Sequence, residues 1–146
     1  IKHLVAFEPS SNMYPLLEKN VAGVEGVKTI NSFFDDKVDA CENNFDSIMY
    51  INVLEHVEDH EKELAHVYKR LKSGGYVLIF VPALSWLYSD LDQALGHFRR
   101  YHKKELTKLV QDAGFHVAKV KYFDFTGIIP WYIAFVLLKR SITGGN

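Results

Sequence analysis

Cysteine is almost missing from this chain. Cys41 stands alone, so no internal disulfide can staple the fold, and a lone thiol suits a reducing compartment such as the cytoplasm. A dominant charge is missing too. Seventeen Lys and Arg against eighteen Asp and Glu leave a formal charge of -1, which gives no whole-chain attraction to nucleic acid or to an anionic membrane. No apolar run reaches the ~20 residues of a bilayer span. Internal repeats, low-complexity stretches and a dividing linker are also lacking, so one domain is expected over residues 1–146. The opening residues read as a strand rather than a secretory leader, and a chain that opens inside a sheet is expected to belong to something longer.

What is present is a regular alternation of two periods. Apolar runs at 3–7, 27–30, 45–51 and 76–81 read as short strands, with 116–123 as a last one. Between them lie helical patterns. The first begins after Glu8-Pro9-Ser10-Ser11, with Ser11 as expected N-cap and Pro15 in the first turn. The second places Leu64, Val67, Tyr68 and Leu71 on one face and is expected to stop at Gly74-Gly75. The third carries Leu106, Leu109, Val110 and Ala113, with Gly114 just beyond. Residues 33–44 are polar and aperiodic, a loop. Strands alternating with helices argue an α/β fold, a doubly wound, mostly parallel sheet covered on both faces.

In such a sheet, ligands sit beyond the carboxyl ends of the strands. The first such end is Phe7-Glu8-Pro9, where a carboxylate is placed to accept hydrogen bonds from ribose hydroxyls; the plain alternative is a surface Glu before a helix. The second is Asn31-Ser32-Phe33-Phe34, where one ring can lie against a flat base while the other covers the core. The third, Ile51-Asn52-Val53-Leu54-Glu55-His56, runs from a buried strand into a helix start.

Several blocks in one order carry a resemblance. FDSIMYINVLEHVED, LKSGGYVLIFVPA and DQALGHFRRYHKKELTKLVQDAGFHV resemble class I S-adenosylmethionine-dependent methyltransferases of the small-molecule type, in a branch with a Gly-His-aromatic-Arg-Arg-Tyr loop. The resemblance covers nearly the whole chain. It implies the Rossmann-like class I methyltransferase fold, here from the second strand onward and lacking the first strand and the glycine loop. It also implies S-adenosylmethionine as cofactor. By position, Glu8 would hold the ribose, Pro9 would lie near the adenine, and Phe33 would offer its backbone and ring to it. Asn52 and Val53 would line the methionine portion, and His56 would face the cleft. Ser32 departs from the Asp that often meets the adenine amino group, and the last strand that usually follows Val120 is absent. The piece 1–146 alone is expected to be inactive.

On the acceptor side the candidates are His56, His97 and Arg100, either His serving as base if the acceptor must lose a proton. The loop Gly96-His97-Phe98-Arg99-Arg100-Tyr101 is expected to hang over the carboxyl ends of the strands. Its plain alternative is a scaffold, with Arg99 paired to Asp90 or Asp92 and Tyr101 buried. The acceptor is expected to be a small molecule or lipid-like. Residues 127–140, within an apolar C-terminal segment 127–146, are expected to cover the sheet or to make peripheral contact with a membrane.

Three rival readings remain. His56 and His60 stand four apart, but Glu58 falls two places after the first His, and with no third ligand evident no metal is expected. Tyr68-x-x-x-Lys72 has the spacing of a short-chain dehydrogenase pair that would serve a nicotinamide cofactor, yet Tyr68 falls on the apolar stripe and is expected in the core. A non-catalytic Rossmann-like binding domain is the third.

Overall fold

A computed structural model describes residues 2–34 and 44–140. Cys41 and most of the expected loop over 33–44 lie outside the described residues. The chain divides into two compact units, Ile1–Asn43 and Asn44–Asn146.

In the first unit, β1 (Leu4–Phe7) and β2 (Val27–Ile30) pair in parallel, with Phe7 opposite Ile30. The crossover is α1 (Tyr14–Val21), whose Pro15 sits in the first turn, where its missing N–H costs nothing. Ser11 does not cap this helix. Met13 holds the N-cap position with no side-chain hydrogen bond, and the carbonyl of Ser10 receives the N–H of Tyr14 at 2.9 Å. A turn through Ser10–Met13 thus starts the helix two residues later than the polar pattern suggests. Gly26, with φ of +79°, returns the chain to β2, and a Cβ there would lie 2.5 Å from the carbonyl oxygen of Lys2.

In the second unit, β3 (Phe45–Ile51) runs parallel to β4 (Leu71–Phe80), with Ile51 opposite Phe80. Between them lies α2 (His60–Arg70), whose N-cap Asp59 accepts from the N–H of Lys62 at 3.0 Å. Leu64 and Val67 of α2 are fully buried, and Ile48 and Tyr50 of β3 are buried as well. The phenol of Tyr50 donates to Glu63, tying strand to helix. Burial, then the Glu63 carboxylate, pushes the Tyr50 phenol far above its ordinary pKa.

Four expectations are corrected here. The helix ends at Arg70, and Leu71 with Gly74-Gly75 belongs to the irregular start of β4, where the register slips between Phe45 and Ser47. Tyr68 is half exposed rather than core, its ring edge-on to Phe115 at 5.1 Å. The sheet is open on one side among the described residues: Met49, Ile51, Tyr76, Leu78 and Phe80 are all exposed. Finally, residues 116–123 form no strand. Side chains anchor that segment instead: Tyr122 accepts the N–H of Lys103 at 3.1 Å, and Phe123 meets Phe80.

The remaining helices are α3 (Asp90–Ala94), α4 (Lys103–Asp112) and α5 (Ile128–Trp131), the last continuing into a π-helical turn over Tyr132–Leu137. Val110 of α4 is buried, as its apolar spacing requires. No helix of the described residues is long and apolar enough to cross a membrane.

Removing Leu64 tests the core directly. Leu64→Ala should cost about 2–5 kcal/mol, the usual loss for a fully buried leucine. Urea denaturation should show a lower midpoint with an unchanged slope.

Candidate active site

Each unit places its sequence-predicted residues where the parallel strands end. In the first, the N–H of Glu8 meets the carbonyl of Ile30 at 3.1 Å, and the Asn31 amide donates to the carbonyl of Glu8 at 2.7 Å. One carboxylate oxygen of Glu8 accepts from the N–H of Ser10 at 2.8 Å. That bond fixes the side chain beside the turn. Pro9 is exposed beside it. Phe34 packs edge-on against Phe7 at 5.2 Å, whereas Phe33 is 68% exposed. The two rings divide the roles of core and surface as their shared position allows.

In the second unit, Asn52 follows β3 with a left-handed φ of +52°, and its N–H meets the carbonyl of Phe80 at 2.9 Å. Asn tolerates this region better than most residues. Val53 and His56 are exposed next to it, while Leu54 and Glu55, in the short 3-10 turn Leu54–His56, are fully buried. Past β4, Leu84 also adopts positive φ, at +64°. Two strained backbones thus stand at neighbouring strand exits, the kind of position that functional sites hold.

The 96–101 loop closes over these exits. Tyr101 pairs with Ala83 in an isolated parallel bridge, and its N–H and carbonyl bond Pro82 and Leu84. Its buried phenol donates to the carbonyl of Leu54 at 3.1 Å and meets His60 Nδ1 at 3.0 Å. Burial pushes this phenol up to about 12. Burial and then the nearby Arg99 charge push His60 down from its ordinary value. His60 thus belongs with Tyr101 and not with His56.

The two arginines depart from the pairing that the scaffold alternative offered. Arg99 donates to the carbonyls of Val57 at 3.0 Å and Glu58 at 2.7 Å, and to neither Asp90 nor Asp92. Arg100 is the partner of Asp92, at 2.8 Å from Nε. Asp92 is fully buried and also receives His97 Nδ1 at 2.9 Å, the N–H of Ser89 at 3.0 Å and the Ser89 hydroxyl at 3.1 Å. Burial alone would raise the Asp92 carboxyl, but the bonds from Arg100 and His97 outweigh it and hold the group below its usual range.

Arg100 also lies over the Trp131 ring at 4.6 Å and helps line a cavity of about 250 Å³. The walls include Ala83, Leu87, Phe123, Phe125, Ile128 and Trp131. His56 and His97 stand edge to face at 4.7 Å between centroids. The structure therefore brings His56, His97 and Arg100 into one neighbourhood. Sequence reasoning missed Glu55 and Trp131, and offered Asp92 only as a partner of Arg99. The signal for Glu55 was its place inside an apolar run; for Asp92, only its proximity to the basic loop.

The dehydrogenase pair is not assembled. Tyr68 faces Phe115, while Lys72 lies in β4 and pairs with Asp46 at 2.7 Å.

Residues 2–120 match the family model of the methyltransferase domain. No curated protein matches the chain. Among solved structures, a methyltransferase candidate of Bacillus halodurans superposes with a TM-score of 0.65 at 17% identity, over 81% of this chain and 55% of that one. The YcgJ protein of Bacillus subtilis does so with a TM-score of 0.62 at 18% identity, over 77% and 52%. The chain thus spans about half the length of both. At these identities the likeness shows the fold, a Rossmann-like α/β architecture.

Asp92 should be the stability determinant of this region. Asp92→Asn leaves Arg100 buried without its counter-charge and should cost about 3–5 kcal/mol. Asp90→Asn, at an exposed position, should change the denaturation midpoint little.

Proposed function

The chain belongs to the methyltransferase-domain family, and from that premise we propose that it transfers the methyl group of S-adenosylmethionine to a small-molecule or lipid-like acceptor. The observation that carries the reading is the family match over 2–120, whose polar candidates fall just past parallel strands. S-adenosylmethionine, when bound, supplies a methyl group on a positively charged sulfur, so transfer needs alignment more than acid–base chemistry.

The residues fit that task. In the first unit, Glu8 receives ribose hydroxyls on the oxygen that Ser10 leaves open, Pro9 borders the adenine, and the exposed Phe33 covers it. In the second, Asn52 and Val53 meet the methionine portion, Asn52 through a backbone already turned for it. His56 faces the same strand exit and, with His97, is a candidate base. Arg100 contacts the acceptor through the wall of the aromatic cavity. That lining, chiefly apolar with the Arg100 guanidinium, the Tyr122 phenol and the Asp124 carboxylate among it, suits an acceptor with an apolar body and a polar end.

Calorimetry on a complete enzyme separates cofactor from acceptor residues. Glu8→Ala should weaken S-adenosylhomocysteine binding by about 1.5–3 kcal/mol, the range for a charge-assisted hydrogen bond. Unchanged affinity would remove Glu8 from the site.

His97→Ala and Arg100→Lys should instead lower methyl-transfer turnover while cofactor affinity stays nearly constant. A parallel fall in both would make the loop a scaffold.

The tail supports the lipid-like branch of the proposal. Ile129, Ile133 and Leu137 stand four apart on the helical tail and are all exposed, with Lys139 and Arg140 following. An outward apolar stripe ending in cations suits the interface of an anionic membrane. Ile133→Asp with Leu137→Asp should reduce flotation with liposomes of mixed neutral and anionic lipid; equal recovery defeats the membrane contact.

A further inference from the structure

Glu55 is a chemical anomaly. Its side chain is 0% exposed, and neither carboxylate oxygen has a hydrogen-bond partner. A buried carboxyl group persists when it is paired, when it binds a cation or when it keeps its proton, and burial does push the Glu55 carboxyl up. The Arg100 guanidinium is committed to Asp92 and to the carbonyl of Ala83. The groups that do face Glu55 are two imidazoles. One donor atom from each of Glu55, His56 and His97 falls within 4.8 Å of the others.

The tautomers of both rings are set by their second contacts. His97 Nδ1 lies 2.9 Å from a carboxylate oxygen of Asp92, and His56 Nδ1 lies 3.2 Å from the carbonyl oxygen of Gly96. An ionised carboxylate and a carbonyl can only accept, so each Nδ1 carries the proton. In the neutral rings, Nε2 then presents a lone pair. A histidine that donates one N–H to a carboxylate or backbone carbonyl while offering its other nitrogen is the arrangement that orients metal-binding imidazoles. Here it occurs twice, beside an unpartnered acid.

We propose that Glu55, His56 and His97 form a divalent transition-metal site of the two-histidine, one-carboxylate type, suited to zinc. Zinc accepts this donor set and keeps a position open for a further oxygen ligand. With ligand bonds of about 2.0–2.2 Å the three donors must draw together. The exposed His56 is the side chain able to move. Asp92 then serves as the positioning residue for His97. The sequence reading paired His56 with His60 and found no third ligand; folding supplies a different partner forty-one residues away and a neighbour inside the turn. The site shares His56 and His97 with the proposed methyl-transfer site, but its test reads ion binding alone and needs no S-adenosylmethionine.

The test is titration of the chelator-stripped full chain with zinc chloride alone, followed by calorimetry. One ion per chain is expected, and cobalt(II) in its place should give the intense visible absorption of a low-coordinate site. His56→Ala, at an exposed position, and Glu55→Gln, which keeps the buried volume, should each weaken zinc binding at least about tenfold. His116→Ala, at an exposed histidine outside the cluster, should leave it unchanged. Absence of stoichiometric binding, or binding that survives both His56→Ala and Glu55→Gln, overturns the proposal.

Discussion

The buried carboxylate of Asp92 is the constraint on which the second unit's site depends. An ion taken fully out of water must find its compensation in fixed donors, and here four of them converge: Ser89 through backbone and hydroxyl, His97 and Arg100. The three residues that supply them each bring something different. Ser89 starts α3, His97 sets the ring that faces His56, and Arg100 carries the contact with Trp131 in the tail. One anion thereby organises a helix start, a histidine pair and the wall of a cavity. The hydrogen bonds outweigh desolvation, so the group stays charged and the convergence persists.

Much of the fold could be read along the chain because the signals are local. β1, β2, β3 and the body of β4 follow from short apolar runs, and α2 and α4 from their periods. What failed depended on distant partners. Residues 116–123 have the composition of a strand, but a strand exists only as part of a ladder, and the side chains of Tyr122 and Phe123 are engaged elsewhere. Gly74-Gly75 looked like a helix stop because glycine permits that; in the fold it accommodates the slipped start of β4 instead.

The site was legible as a set of residues and illegible as a set of contacts. The density of His, Arg and aromatic side chains in the 96–101 loop marked it out, and the exits after Phe7 and Ile51 marked theirs. Which arginine meets which acid could not follow from spacing. Tyr101 bridges to Ala83, and that docking turns Arg99 toward the 57–58 carbonyls and Arg100 toward Asp92. Neighbours in sequence point to opposite sides of an extended segment, so assigning one arginine determines the other. Glu55 was hidden for a related reason: the burial of an acid beside apolar neighbours is visible only once the chain is folded.

Arg99 adds a property of a different kind. Its guanidinium grips the main-chain carbonyls of Val57 and Glu58 rather than any side chain there. The clamp therefore enforces the path of the turn while remaining blind to the identity of the residues in it. The exposed position 58 can change character, from acidic to basic or apolar, without loosening the loop that spans it. The rim of the site is thus uncoupled from its frame: the chain can acquire a new outer surface there while the histidines and the cavity beneath keep their places.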